Sequence, residues 1–235
     1  MSARASTARA MAPDALVFDM DGLLLDTERI ARDAFEEACR DAGWPDPDFD
    51  VYARCIGSTG GDEGAILRAG YGPDFPWEAV RDGWWRRYHE HVEHRAVPVK
   101  PGAAELLSYS AESGLPCALA TSTRAALAQR KLSLAGLDGY FPVRVTGDMV
   151  RRGKPDPEPY LSAAARLGAR PERCWAFEDS ANGVRSACAA GFEVFQVPDL
   201  VEPLPELRRL GHTVLESLYD AIDELREARK EAWVE

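Results

Sequence analysis

Two carboxylates, Asp19 and Asp21, stand two residues apart behind the apolar run Ala15-Leu-Val-Phe18, with Gly22 directly after them. If the strand continued, that spacing would turn both toward one side, and Gly22 permits a tight exit. Carboxylates this close repel one another unless a cation joins them, and hard oxygen donors of this kind suit magnesium. An Asp-rich turn without chemistry accounts for the same residues equally well. Further along, Thr121-Ser122-Thr123 ends one apolar run and starts a helical pattern. That puts hydroxyls and backbone N–H groups where an anion would bind, although ordinary helix capping produces the same cluster. In Arg152-Gly-Lys154-Pro-Asp156-Pro, the prolines fix a loop that presents Lys154 at a defined place, whereas most loop lysines are simply solvated. Glu178-Asp179 closes the run Trp175-Ala-Phe177, with Asn182-Gly183 just inside the next helical pattern.

The elements that would have to position these groups are short apolar runs alternating with helical patterns. Ala15 to Phe18, Pro116 to Ala120, Val143 to Thr146, Cys174 to Phe177 and Glu193 to Val197 read as buried strands. Thr123 to Leu134, Pro157 to Leu167 and Ala181 to Ala190 read as helices between them. The alternation predicts an α/β fold, a doubly wound parallel sheet with right-handed crossovers and helices on both faces. Ligands of such sheets sit at the C-terminal ends of the strands, where all four polar groups fall. One site there would hold two acids for nucleophile and proton transfer, an acidic pair for a metal, and a hydroxyl and an ammonium for an oxyanion.

From Thr27 to Val99 the alternation breaks into helical patterns at Glu28 to Arg40, Gly61 to Ala69 and Trp77 to His94. This interval reads as an all-helical insertion, closed by Pro98, Pro101 and Gly102. The expected organisation is a disordered tail over 1–12, a core of 13–26 and 100–235, and a helical cap of 27–99. Leu215 to Val234 reads as one charged amphipathic helix.

A formal charge of −11, from 39 acidic against 28 basic residues, argues against a broad nucleic-acid surface. An anionic substrate would need local cations. No apolar run approaches the roughly 20 residues of a membrane span, so no membrane partner is expected. Five cysteines, none in a CxxC pair, suit a reducing cytoplasm and read as small core residues.

The chain resembles the haloacid dehalogenase superfamily, and within it the phosphatases and phosphomutases similar to beta-phosphoglucomutase. The resemblance runs from Ala15 to about Val197. It rests on Phe18-Asp19-Met-Asp21-Gly22-Leu-Leu-Leu-Asp26-Thr27-Glu28, Ala120-Thr121-Ser122, Gly153-Lys154-Pro155 and Phe177-Glu178-Asp179-Ser180. It implies that Asp19 attacks phosphorus to give an aspartyl phosphate, while Asp21 protonates the leaving oxygen and later deprotonates the acceptor. It also implies magnesium held by the Asp19 carboxylate, the Asp21 backbone carbonyl and Asp179, with Glu178 in or near the shell. Thr121, the Ser122 amide and Lys154 would contact the phosphoryl group. The helical insertion becomes a cap over the site, and Gly57 to Glu63 its specificity loop, with Ser58, Thr59 and Asp62 as candidate contacts.

The sequence departs from the mutase pattern. Sugar phosphomutases of this family use a cap arginine in that loop and a histidine soon after the first motif, and neither is evident here. Hydrolysis is therefore favoured over transfer to a sugar. A dehalogenase would not need Asp21, and a phosphonate hydrolase would need a cap lysine, which the interval 27–99 lacks. The expectation is a magnesium-dependent phosphatase for a small phosphorylated metabolite, a sugar or polyol phosphate, acting as a monomer or weak homodimer. The alternatives are a beta-phosphoglucomutase-like sugar phosphomutase and a silent binding protein on the same fold. His89, His91 and His94 read as solvated surface rather than a metal cluster. Trp84, Trp85 and Tyr88 read as cap core rather than a platform for stacking sugars.

Overall fold

The computed structural model describes residues 11–56 and 63–231. In chain order the elements are β1 (Ala15–Phe18), α1 (Thr27–Asp41), α2 (Phe49–Ala53), α3 (Glu63–Tyr71), α4 (Trp77–His94), α5 (Ala103–Glu112), β2 (Cys117–Ala120) and α6 (Ala125–Ala135). They continue with β3 (Val143–Val145), α7 (Glu158–Leu167), β4 (Cys174–Glu178), α8 (Ala181–Ala189), β5 (Glu193–Gln196), β6 (Thr213–Val214) and α9 (Leu218–Glu231). Every strand pairing is parallel, and the strand order is β3-β2-β1-β4-β5-β6. The α/β parallel sheet expected from the alternation is therefore present, with one short edge strand, β6, beyond the five anticipated.

Alternation along each strand divides the core into two unlike layers. Leu16, Phe18, Leu119, Trp175, Phe177 and Phe195 face one side. Ala15, Val17, Ala118, Ala120, Cys174 and Ala176 face the other, against Tyr160, Ala163 and Val184 of α7 and α8. The bulky side is organised by stacked rings: Phe18 on Phe177 at 5.0 Å and Phe177 on Phe195 at 5.5 Å. The small side lets α7 lie close beneath β1, β2 and β3, where it delivers Tyr160 to the end of β4.

Between β1 and α5, helices α1 to α4 form a unit with its own buried cluster, including Phe35, Cys39, Tyr52, Leu67, Phe75 and Val80. The two connecting chains run side by side: Asp26 N–H donates to Pro98 O and Lys100 N–H to Leu24 O, both at 2.9 Å. Asp199, in the loop after β5, accepts from Arg29 at 2.8 Å and from Lys100, so a single carboxylate ties both connections to the sheet.

Residues 1–10 lie outside the described residues, as do 57–62, which contain the expected contacts Ser58, Thr59 and Asp62. Met11 and Ala12 are placed, and the Met11 carbonyl accepts from Trp175 Nε1 at 3.2 Å. No described helix is long and apolar enough to cross a membrane.

Candidate active site at the strand ends

β1 stops at Phe18, so Asp19 and Asp21 do not share a continuing strand. The Asp19 N–H still pairs with Phe177 O at 3.0 Å, and the chain then turns, with Gly22 N–H donating to Leu25 O at 2.9 Å. This turn sends the two carboxylates to different partners. Asp19 Oδ1 lies 2.5 Å from Lys154 Nζ, which also donates to Glu178 Oε1 at 2.5 Å. The Tyr160 hydroxyl donates to the same Glu178 oxygen at 2.5 Å. Asp21 instead accepts from Lys131 Nζ at 2.7 Å and from the Thr123 hydroxyl at 2.6 Å, and Lys131 also donates to the Tyr88 hydroxyl at 2.8 Å.

Asp19, Glu178 and Asp179 each offer a carboxylate oxygen, and the three oxygens lie within 4.8 Å of one another. Among the described residues Lys154 is the one cation bonded to any of them, and it bonds Asp19 and Glu178. Burial pushes the Asp19 carboxyl up to about 7, with Glu178 and Asp21 adding to the rise against the pull of Lys154. Burial, then Asp19 and Glu178, hold Asp179 well above the usual carboxylate range. Asp21 behaves oppositely: burial raises its pKa, but Lys131 and its hydrogen bonds outweigh that and lower it.

This donor set fits a hard divalent cation. Asp179 Oδ1 is buried with no hydrogen-bond partner, as a ligand oxygen awaiting a cation would be. The backbone is shaped closely around the acids. A Cβ at Gly183 would fall 1.9–2.0 Å from the Glu178 carboxylate, and one at Gly22 would fall 2.2 Å from Asp179 Oδ2. Of the four expected metal residues, the structure brings Asp19, Glu178 and Asp179 together, while the Asp21 side chain is engaged by Lys131. Thr121 is buried at the end of β2, its Oγ1 accepting from Thr123 N–H at 3.1 Å. Ser122 is exposed at the mouth of a cavity of about 640 Å³ that Asp21 also lines.

Lys131 was not anticipated as a site residue. It is 1% exposed and shares the buried face of α6 with Ala128 and Leu132. A lysine inside an apolar stripe at helical spacing was the available signal. Tyr160 and Glu28 were missed as well. Burial, then Asp21, raises the Glu28 carboxyl to about 7. His89 pairs with Glu93 at 3.2 Å. Among the described residues, the one group of three or more metal-ligating side chains is the acidic one. The aromatic reading needs correction in part: Trp84 does pack edge-on against Phe35 at 5.2 Å, but Trp84, Trp85 and Tyr88 all line the cavity beside Asp21.

Comparison with known proteins settles the family. The family model for haloacid dehalogenase-like hydrolases matches residues 13–191. The chain belongs to this family. The hydrolase is 36% identical over 188 residues to a phosphorylated carbohydrates phosphatase of Thermotoga maritima, covering 77% of this chain and 82% of that protein. A solved haloacid dehalogenase family hydrolase from Deinococcus radiodurans, with bound phosphate and sodium, superposes with a TM-score of 0.80 at 30% identity, covering 92% and 97% of the two chains. CbbY from Rhodobacter sphaeroides in complex with xylulose-(1,5)bisphosphate superposes with a TM-score of 0.66 at 28% identity, covering 88% and 95%. The expected phosphoric monoester hydrolase of this family agrees with the match and with the relatives' names.

Gly183→Ala is expected to force Glu178 aside and lower stability by about 1–3 kcal/mol, the usual cost of overpacking. Gly139→Ala, where an added Cβ meets nothing within 4 Å, should be neutral; urea denaturation of both variants checks this. A second expectation follows from Asp19. Its folded pKa of about 7 lies above the unfolded value of 3.8, so its ionisation opposes folding as pH rises between those values. In metal-free buffer, the stability of Asp19→Asn relative to the native chain should therefore climb from pH ~4 to ~7. Denaturation midpoints across that range read the trend.

Proposed function

We propose that the hydrolase is a magnesium-dependent phosphatase acting on a small sugar or polyol monophosphate through an aspartyl-phosphate intermediate. The observation that carries this reading is the division of labour between the first two acids. Asp19 lies in a buried acid cluster with one ammonium, whereas Asp21 is held apart by Lys131 and Thr123 at the edge of the cavity. One group can attack while the other handles protons.

Asp19 forms a bond to phosphorus as the bond to the alcohol oxygen breaks. Asp21 supplies the leaving oxygen's proton, then takes a proton from the water that attacks the acyl phosphate and frees inorganic phosphate. The Lys131 contact favours the ionised, basic form of Asp21. An arriving phosphate dianion adds negative charge beside it and favours the protonated form needed in the first half-reaction. Lys154 balances charge on the transferring oxygens, and Thr121 with the Ser122 amide completes their cradle. Asp19, Glu178, Asp179 and the Asp21 carbonyl are the proposed magnesium ligands, and the ion, when bound, keeps Asp19 ionised and neutralises phosphoryl charge.

The unit 27–99 is the proposed cap, covering the cavity and excluding bulk water. Five cysteines without disulfides are consistent with a cytoplasmic setting. Hydrolysis is preferred to a mutase reaction because the described cavity wall offers few cations for a second phosphate. Phosphate release from a panel of sugar and polyol monophosphates should require magnesium and stop with EDTA. Asp19→Asn should lose at least about 1000-fold in kcat with the fold intact by circular dichroism, as expected for a removed nucleophile. Activity retained in that variant rejects the covalent route.

A further inference from the structure

The cavity beside Asp21 has walls unlike the acid cluster. On α4, Trp85 is 46% exposed and stacks on His89 at 5.8 Å, and Tyr88 is fixed through its hydroxyl to Lys131. Trp84, braced on Phe35, backs this face. Leu127 and Ile56 extend the apolar surface. Flat aromatic faces of this kind bind through their negative π-clouds and suit the slightly positive C–H face of a sugar or polyol.

The charges point the same way. Among the described residues the cavity is lined by four acids, Asp21, Glu28, Glu63 and Glu93, and by two cations, Lys131 and Arg124. Lys131 is already bonded to Asp21 and Tyr88. Glu28 stands in the first turn of α1 and lines the same cavity as Asp21. The described wall beside Asp21 thus carries more acids than cations.

Resting on the phosphatase reading, we propose that this cavity selects the leaving alcohol by face and by charge, with Trp85 and Tyr88 seating the C–H face of an uncharged sugar or polyol and Glu28 turning away esters that bear a second phosphate or carboxylate. Repulsion between like charges in a partly desolvated cavity discriminates without any contact to the preferred substrate.

The test, run at about pH 8 so that Glu28 carries its charge, compares kcat/KM for a hexitol monophosphate, glycerol phosphate and a sugar bisphosphate in the native chain, Glu28→Gln, Trp85→Ala and Trp85→Phe. The native chain should prefer the hexitol monophosphate to the bisphosphate by at least about tenfold, or ~1.4 kcal/mol. Glu28→Gln should shrink that ratio about tenfold. Trp85→Ala should lower the hexitol-to-glycerol ratio about tenfold, mostly through KM, and Trp85→Phe should restore it. Equal use of mono- and bisphosphate, or a ratio unmoved by Glu28→Gln, overturns the charge filter. A hexitol-to-glycerol ratio unmoved by Trp85→Ala overturns the stacking face. No phosphate release from any ester overturns the phosphatase reading itself, and the selectivity with it.

Discussion

Three clustered carboxylates, Asp19, Glu178 and Asp179, meet at the strand ends, and one ammonium, that of Lys154, bonds the first two. Isolated charges in a protein interior are among the most unfavourable arrangements a fold can contain, and much of the surrounding structure manages this one. Neighbouring strands β1 and β4 end side by side and deliver the acids from two distant parts of the chain. The small-residue face of the sheet admits α7, whose Tyr160 donates to Glu178. Gly183 and Gly22 leave room for the carboxylates where any larger residue would collide with them. Hydrogen bonding leaves Asp179 Oδ1 without a partner among the described residues, a donor that suits the magnesium proposed for this site.

A second buried cation solves a different problem. Lys131 holds Asp21 away from the acid cluster and, through Tyr88, joins α6 of the core to α4 of the helical unit. The acid two residues from Asp19 thus acquires an opposite electrostatic environment. Two aspartates of one motif can then serve as nucleophile and proton carrier, because groups pushed apart in pKa take different roles. The contact also ties the geometry of Asp21 to the position of the helical unit.

Much of this was legible in the chain. Ala15–Phe18 is a buried central strand and reads as an unbroken apolar run, and α4 spans Trp77–His94 as its periodicity indicates. The first three acids and Lys154 could be placed because strand ends collect polar groups. Other elements left weaker traces. β6 has two residues, Thr213 and Val214, too few for any period to register. In α5, Ser110 interrupts the apolar face yet is buried, its hydroxyl satisfied by Leu106 O at 2.7 Å within the same helix. Lys131 could be flagged only as a charge on a helical face turned inward, because it meets a partner 110 residues away. The cavity role of Trp85 depends on how α4 lies against α6, which periodicity does not encode.

The most direct test of the charge argument is calorimetric titration of the metal-free protein with magnesium, beside Asp179→Asn. One ion should bind per chain, and removing the orphaned carboxylate oxygen should weaken that binding at least about tenfold, or ~1.4 kcal/mol. No magnesium binding to the native chain, or equal affinity in the variant, would contradict the account.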